Sequence, residues 1–455
     1  MSLAVTPQQS AKSRLLQKLG RFRYGISALD QIALSLFGFA LNLCLVRALS
    51  ATEFGVVSLW MAMAALATSV QAALTSGPLN IHLPAAPDQL RARRLEAAVA
   101  VVNLLAVLLA AATGGLLILL ADAEWAPADI LTGAAIPLFL AAGMSREFSR
   151  TVAFSRRSMK MLLWIDLPYL AVTSLGLAAM FAWPERCATV AGAFIVMSVG
   201  AIVSQVGLRL RFRMPRAWPF EPGALEEYRR IGRDIVWAMV GVVAGHLQTR
   251  SYIYVTVNLV SLAGLAAINV VGILFRRARL LLQAWMRWVL PAMSGHLAHG
   301  RVRAFDRLFL QGFGAAAVGS ALWFAALWLA WPVIERHFLA GRYPDAWTLM
   351  LPWAIAAGLD AMAFTVSVAL QSAREFKFLA LVTMVAAPIT LLATTGAVLW
   401  RGYTWTMVGV ALGELATLAM YLARLYLTRR KVLAQNGGAN EIGPANAGLD
   451  RSAGD

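Results

Sequence analysis

Along this chain, apolar runs of about twenty residues alternate with short polar breaks. The runs are continuously apolar and do not alternate with a period of two. At ~1.5 Å rise per residue, about twenty residues cross the ~30 Å hydrocarbon layer of a bilayer. Inside that layer the backbone must satisfy its own hydrogen bonds, so the runs predict helices, not barrel strands. Twelve spans are predicted, at 25–46, 54–76, 97–120, 127–146, 161–183, 187–208, 232–257, 262–290, 308–331, 347–371, 377–399 and 404–427. The first run is too long for a signal-peptide core and lacks a small-residue cleavage site, so it reads as a retained anchor.

Composition agrees: of 455 residues, 60% are hydrophobic and only 14% charged, too few charges for a soluble domain of this length. The net charge of +17 does not mark a nucleic-acid partner, because the cations lie between apolar runs. They are also unevenly shared. Connections on one side hold Arg47, Arg186, Arg336, Arg342 and Arg401 beside a larger number of acids, whereas the opposite side and both ends hold most of the rest. The positive-inside rule then puts both termini in the cytoplasm and the basic loops against anionic lipid headgroups.

The longest inner connection, 209–231, carries Pro215, Pro219 and Pro222 close to the midpoint. The expected architecture is an all-α membrane protein of two six-helix lobes. A basic segment spans 1–24, the first lobe 25–208, the linker 209–231, the second lobe 232–431, and a disordered tail rich in Asn, Gly and Ala 432–455. A weak repeat supports two halves: the turns at 46–57 and 257–268 align with Ser50 and Ser261 in register, 211 residues apart. Such repeats recur in alternating-access transporters.

Several motifs together resemble the polysaccharide flippases, which translocate lipid-linked oligosaccharides and are relatives of the multidrug-and-toxin extrusion (MATE) transporters. The stretch from Arg47 to Gly55, RALSATEFG, resembles their ARxLGPxEFG junction. Asp30 with Gln31, Arg146-Glu147-Phe148 with Arg150, Pro291 and Ser294 before Gly300-Arg301, and Gln371 followed by Arg374 and Lys377 are similar to further elements, in order along the chain. Two departures are Val46 before the junction arginine and Thr249 before Arg250, where many members have Asp-Arg. The resemblance implies a MATE-like fold in the bacterial inner membrane that rocks two lobes about a central cavity. It implies a flippase passing an undecaprenyl-diphosphate-linked oligosaccharide to the periplasmic leaflet. Membrane lipids and polysaccharide polymerase or export machinery would be its partners.

Such cargo requires cations facing a cavity, and ionisable residues within membrane spans are the natural candidates. In the eighth span Arg276, Arg279, Gln283 and Arg287 fall 3, 4 and 4 residues apart on one face, with Arg277 beside them. Arginine suits a diphosphate through its bidentate fork. The alternative is a cytoplasmic helix end whose side chains snorkel to headgroups. Arg250 and His246 lie one turn apart in the seventh span; Arg250 faces the cavity or pairs with a buried acid, and His246 alone is more simply a satisfied core residue. Gln31, Ser35 and Asn42 form a polar stripe on the first span, suited to sugar hydroxyls or to interhelical bonds. Asp30, Asp360 and Glu414 are intramembrane acids, able to couple an ion or to pair with arginine. Arg47 and Glu53 read as an ion pair across a tight turn, and Gly409 with Gly413 as a close-packing GxxxG. Trp183, Trp331, Trp400 and Trp405 read as interfacial belt residues.

Cys44 and Cys187 read as buried thiols rather than a disulfide. His296 and His299 lack a third ligand, so neither a metal nor a cofactor is expected. Two other functions compete. A multidrug exporter of the same fold would favour acids in its cavity. A membrane glycosyltransferase or polymerase would need an acidic pair such as Asp122 and Glu124, but that pair sits in a short loop with no room for a catalytic domain. The chain is therefore not expected to be an enzyme.

Overall fold

A computed structural model describes residues 32–83, 88–120, 129–156, 158–214, 222–276, 278–339 and 341–441. Among them every regular element is helical. In chain order these are α1 Ile32–Ala48, α2 Ala51–Leu74, α3 Ser76–Ile81, α4 Gln89–Leu120, α5 Ile130–Ser155, α6 Met159–Ala182, α7 Pro184–Cys187 and α8 Val190–Arg211. There follow α9 Ala224–Arg230, α10 Gly232–Leu259, α11 Leu262–Phe275, α12 Ala278–Ala298, α13 Val302–Ile334, α14 Ala346–Ser372, α15 Phe376–Arg401 and α16 Thr406–Glu441.

Eight of these helices are long and apolar enough to cross a membrane, and α1 and α11 are shorter apolar helices. The chain is a multi-pass membrane protein. α5 and α10 fall outside the eight because Arg146, Glu147 and Arg150 interrupt the one and His246, Gln248 and Arg250 the other. Over the expected single span 262–290, α11 ends at Phe275 and α12 starts at Ala278, and Arg277 between them lies outside the described residues. α16 runs on to Glu441, past the expected end of the second lobe at 431.

Helix starts follow their caps. Asp129, Ser158 and Thr189 each accept a bond from the third backbone N–H beyond, satisfying a donor that the helix itself leaves orphaned. Ser50 forms a full capping box with Glu53. Ser50 and Ser261 each stand directly before a helix, α2 and α11, so the 211-residue register of the sequence recurs in the helix starts.

The described chain forms two compact units. The first holds residues to Val243 together with Leu262–Ala266 and Arg336–Tyr343. Its core joins Leu95 and Val99 of α4, Phe148 and Val152 of α5, Met161 and Ile165 of α6, and Leu208 of α8. The α9 helix docks here through Tyr228, whose hydroxyl donates to the Leu74 carbonyl at 2.8 Å; burial pushes that phenol up to about 12. The expected Arg47–Glu53 pair is not the arrangement found. Glu53 sits at the third helical position, where the capping box holds its carboxylate on Ser50 at 2.7 Å. Arg47 instead donates to the His337 carbonyl at 3.0 Å. Arg342 in turn donates to the carbonyls of Arg47 and Leu49, both at 3.0 Å. Cys44 and Cys187 are free thiols.

The second unit holds Ala244–Ser261, Ala267–Glu335 and the chain from Pro344. Here α14 and α15 pack along α16, and α13 packs on α14. Gly409 and Gly413 let α16 approach α15 at Thr394 and Thr390 with no room for a methyl group, so the GxxxG is a packing motif as expected. Arg424 reaches Glu375 at 2.8 Å, and Arg429 reaches Asp306 at 2.8 Å, tying α16 to the start of α15 and to α13. Trp183, Trp400 and Trp405 are exposed, consistent with a belt, whereas Trp331 is buried against Trp347.

Candidate functional site

A cavity of about 280 Å³ opens within the second unit. Charged residues reach it from four helices and from the α11–α12 break. α10 supplies Arg250, the break supplies Arg276, α12 supplies Arg279, α14 supplies Asp360 and α16 supplies Glu414. Trp323 of α13 and Trp353 of α14 complete the wall.

Each charge is held differently. Arg276 donates to the Asn269 side-chain oxygen at 2.6 Å and lies over the Trp353 ring, 5.6 Å from its centre. Asn269 is itself fixed by the Tyr252 hydroxyl at 2.9 Å, and Trp353 by its indole N–H on the Ile268 carbonyl at 2.8 Å. Arg276 is thus a preset cation with a locked rotamer. Arg279 pairs with Asp360 at 3.1 Å and lies 5.6 Å from the centre of the Phe364 ring. Glu414 is only 4% exposed and receives one long bond, from Gln248 at 3.5 Å. Arg250 is half-buried, and among the described residues it has neither a hydrogen-bond nor an ion-pair partner. A guanidinium inside an apolar helix is costly unless something complements it, so this cavity wall presents unused positive potential.

The structure brings together Arg250, Arg276, Arg279, Asp360 and Glu414 of the residues singled out from sequence. It does not bring His246 to the cavity: that ring is buried and shares a 2.8 Å hydrogen bond with the Tyr254 hydroxyl, the satisfied-core arrangement. Ser35 and Asn42 lie on α1 in the first unit, and Asn42 donates to the Gly38 carbonyl of its own helix at 2.6 Å. Asp30, Gln31, Arg277 and the pair Asp122 and Glu124 lie outside the described residues, as do the side chains of Gln283 and Arg287.

Sequence reading missed a charge cluster in the first unit. Asp166 of α6, 1% exposed, pairs with Arg146 and, at 3.3 Å, with Arg150 of α5. Arg146 also lies over the Tyr169 ring, 3.8 Å from its centre. The signal was present, since Asp166 interrupts an apolar run and Arg146 and Arg150 are one turn apart. The aromatic and amide supports of the cavity, Trp353, Tyr252 and Asn269, carried no such signal. Among the described residues no group of His, Cys, Asp or Glu is arranged to hold a metal ion.

No family model matches the chain, and no curated protein matches it. Solved structures do. A multidrug-resistance MATE family transporter of the MOP superfamily, in an inward-facing conformation, aligns with a TM-score of 0.69 over 89% of this chain and 95% of its own, at 12% identity. The lipid II flippase MurJ aligns at 0.65 over 92% and 93%, at 8% identity. A MOP superfamily transporter from Pyrococcus furiosus, described as having a binding pocket of reversed polarity, aligns at 0.54 over 91% and 94%, at 12% identity. The chain therefore has the fold shared by the MATE exporters and the lipid II flippase, along nearly its whole length.

Proposed function

We propose that this protein is a flippase that carries an undecaprenyl-diphosphate-linked oligosaccharide across the bacterial inner membrane by alternating access, in the assembly of a surface polysaccharide. The observation that carries the reading is Arg250, a cation without a protein partner among the described residues, on the wall of a cavity that also holds Arg276 and Arg279. Arginine forks complement phosphate oxygens, gain strength where water is scarce, and stay charged at any physiological pH. The motif resemblance and the fold shared with a lipid II flippase support the same direction.

The test is a leaflet assay. The full chain is reconstituted in vesicles with a lipid-linked oligosaccharide, and exposure of the sugar to an impermeant lectin or periodate is followed. Wild type is expected to speed exposure, and Arg250→Ala or Arg276→Ala to abolish the gain at equal insertion. Absence of translocation with several lipid-diphosphate cargoes would overturn the reading.

Export of organic cations is the second reading. Glu414 favours it, as a buried acid with no cation paired to it among the described residues. Expression that protects cells against cationic dyes, lost in Glu414→Gln but kept in Arg250→Ala, would support the exporter instead.

A further inference from the structure

Arg279 and Asp360 meet through a single nitrogen: Nη1 stands 3.1 Å from both carboxylate oxygens. The strong form of this pairing is a fork, two nitrogens on two oxygens. The observed pair uses one nitrogen and leaves the rest of the guanidinium free of it. Both partners also remain open to the cavity, with Arg279 43% and Asp360 28% exposed. Held by one nitrogen and open to the cavity, this pair lacks the two-point grip that makes an arginine pair hard to exchange. Other charges differ: Arg276 is locked by Asn269 and Trp353, and Asp166 in the first unit is closed off at 1% exposure.

We propose that Asp360 is a displaceable internal counter-ion. This rests on the reading that the cavity takes an anionic headgroup. In the empty cavity Asp360 occupies Arg279; an incoming diphosphate takes its place with a two-oxygen match that the carboxylate does not make. Arg250 receives the second phosphate. Asp360 is then left without its cation beside a bound dianion, and re-formation of the Arg279 pair favours release. Asp360 thus sets affinity low enough for turnover and selects diphosphates over single carboxylates, which gain nothing by the exchange.

Calorimetric titration of the full-length protein in nanodiscs with inorganic pyrophosphate and with farnesyl diphosphate tests this. Asp360→Asn is expected to bind both roughly threefold to tenfold tighter than wild type, while turning over lipid-linked cargo more slowly. Asp360→Ser serves if the Asn variant does not fold. Equal or weaker binding in these variants, with wild-type binding still lost in Arg250→Ala, overturns the counter-ion and leaves the flippase standing. No binding by wild type or by either Asp360 variant overturns both. Tighter binding in the variants without any translocation by wild type supports the counter-ion and removes the flippase.

Discussion

Gly55 in α2 lies against the backbone carbonyl of Leu262 with no room for even a methyl group. A side chain here would have to displace backbone, which cannot rotate away as a side chain can. Gly55→Ala is therefore expected to cost about 1–3 kcal/mol, the usual penalty of overpacking. Gly38, which has open space around it, provides the control. Thermal unfolding in detergent should show a lowered midpoint for Gly55→Ala and none for Gly38→Ala; equal midpoints would refute the close approach.

Asp166 pairs with two arginines within the first unit, and Glu147 reaches the second of them, Arg150, at 3.6 Å. Removing one member of such a buried set leaves uncompensated charge, at a typical cost of about 3–5 kcal/mol. Asp166→Leu should accordingly fail to accumulate or unfold early, while a triple change that replaces Arg146, Arg150 and Asp166 together with apolar residues recovers most of the loss. Expression level and detergent melting curves report both. A mild single mutant would mean that the cluster is solvated.

Glu414 makes the opposite case. It is buried with one long hydrogen bond, so its charge costs more than it returns. Glu414→Gln should melt at the same temperature as wild type or higher. A marked fall would reveal a cation partner and assign Glu414 a structural role.

The start of α5 is sensitive to acid. Asp129 accepts bonds from the backbone N–H and the hydroxyl of Thr132, both at 2.7 Å, and these hold its carboxyl below the usual carboxylate value. A depressed folded-state value means the stabilisation is present above the unfolded value and lost as pH falls through the folded one. Asp129→Ala should cost about 1 kcal/mol near neutral pH, as helix caps do. The difference from wild type should close as the medium is taken below roughly pH 4. Parallel melting curves across that range check it; a constant difference would exclude the cap.

Much of this fold was legible in the sequence because membrane spans are written as local composition. The helix starting at Ala51, and its counterpart at Leu262, could be placed from a serine and a following apolar run. Arg250 stood out because one cation in an apolar helix is visible without any partner. Partnership was not legible. Asp360 lies 81 residues from Arg279, and His337 lies 290 from Arg47; nothing in either segment names the other. Glu53 illustrates the reverse error, where a nearby opposite charge suggested a pair but a nearer hydroxyl and N–H took the carboxylate.

The end of α11 at Phe275 has an electrical consequence. α11 extends for about 21 Å before it stops, less than the ~30 Å of a hydrocarbon layer. Phe275 and Arg276 at its end, and Arg279 of α12, line the cavity. Where such a cavity fills with water, the insulating layer is thinner and the transmembrane voltage falls across the thickness that remains. At about 2.3 kcal/mol per elementary charge per 100 mV, a dianion crossing that remainder would feel the potential through two charges. If the protein carries the proposed diphosphate headgroup, its rate should therefore answer to membrane voltage.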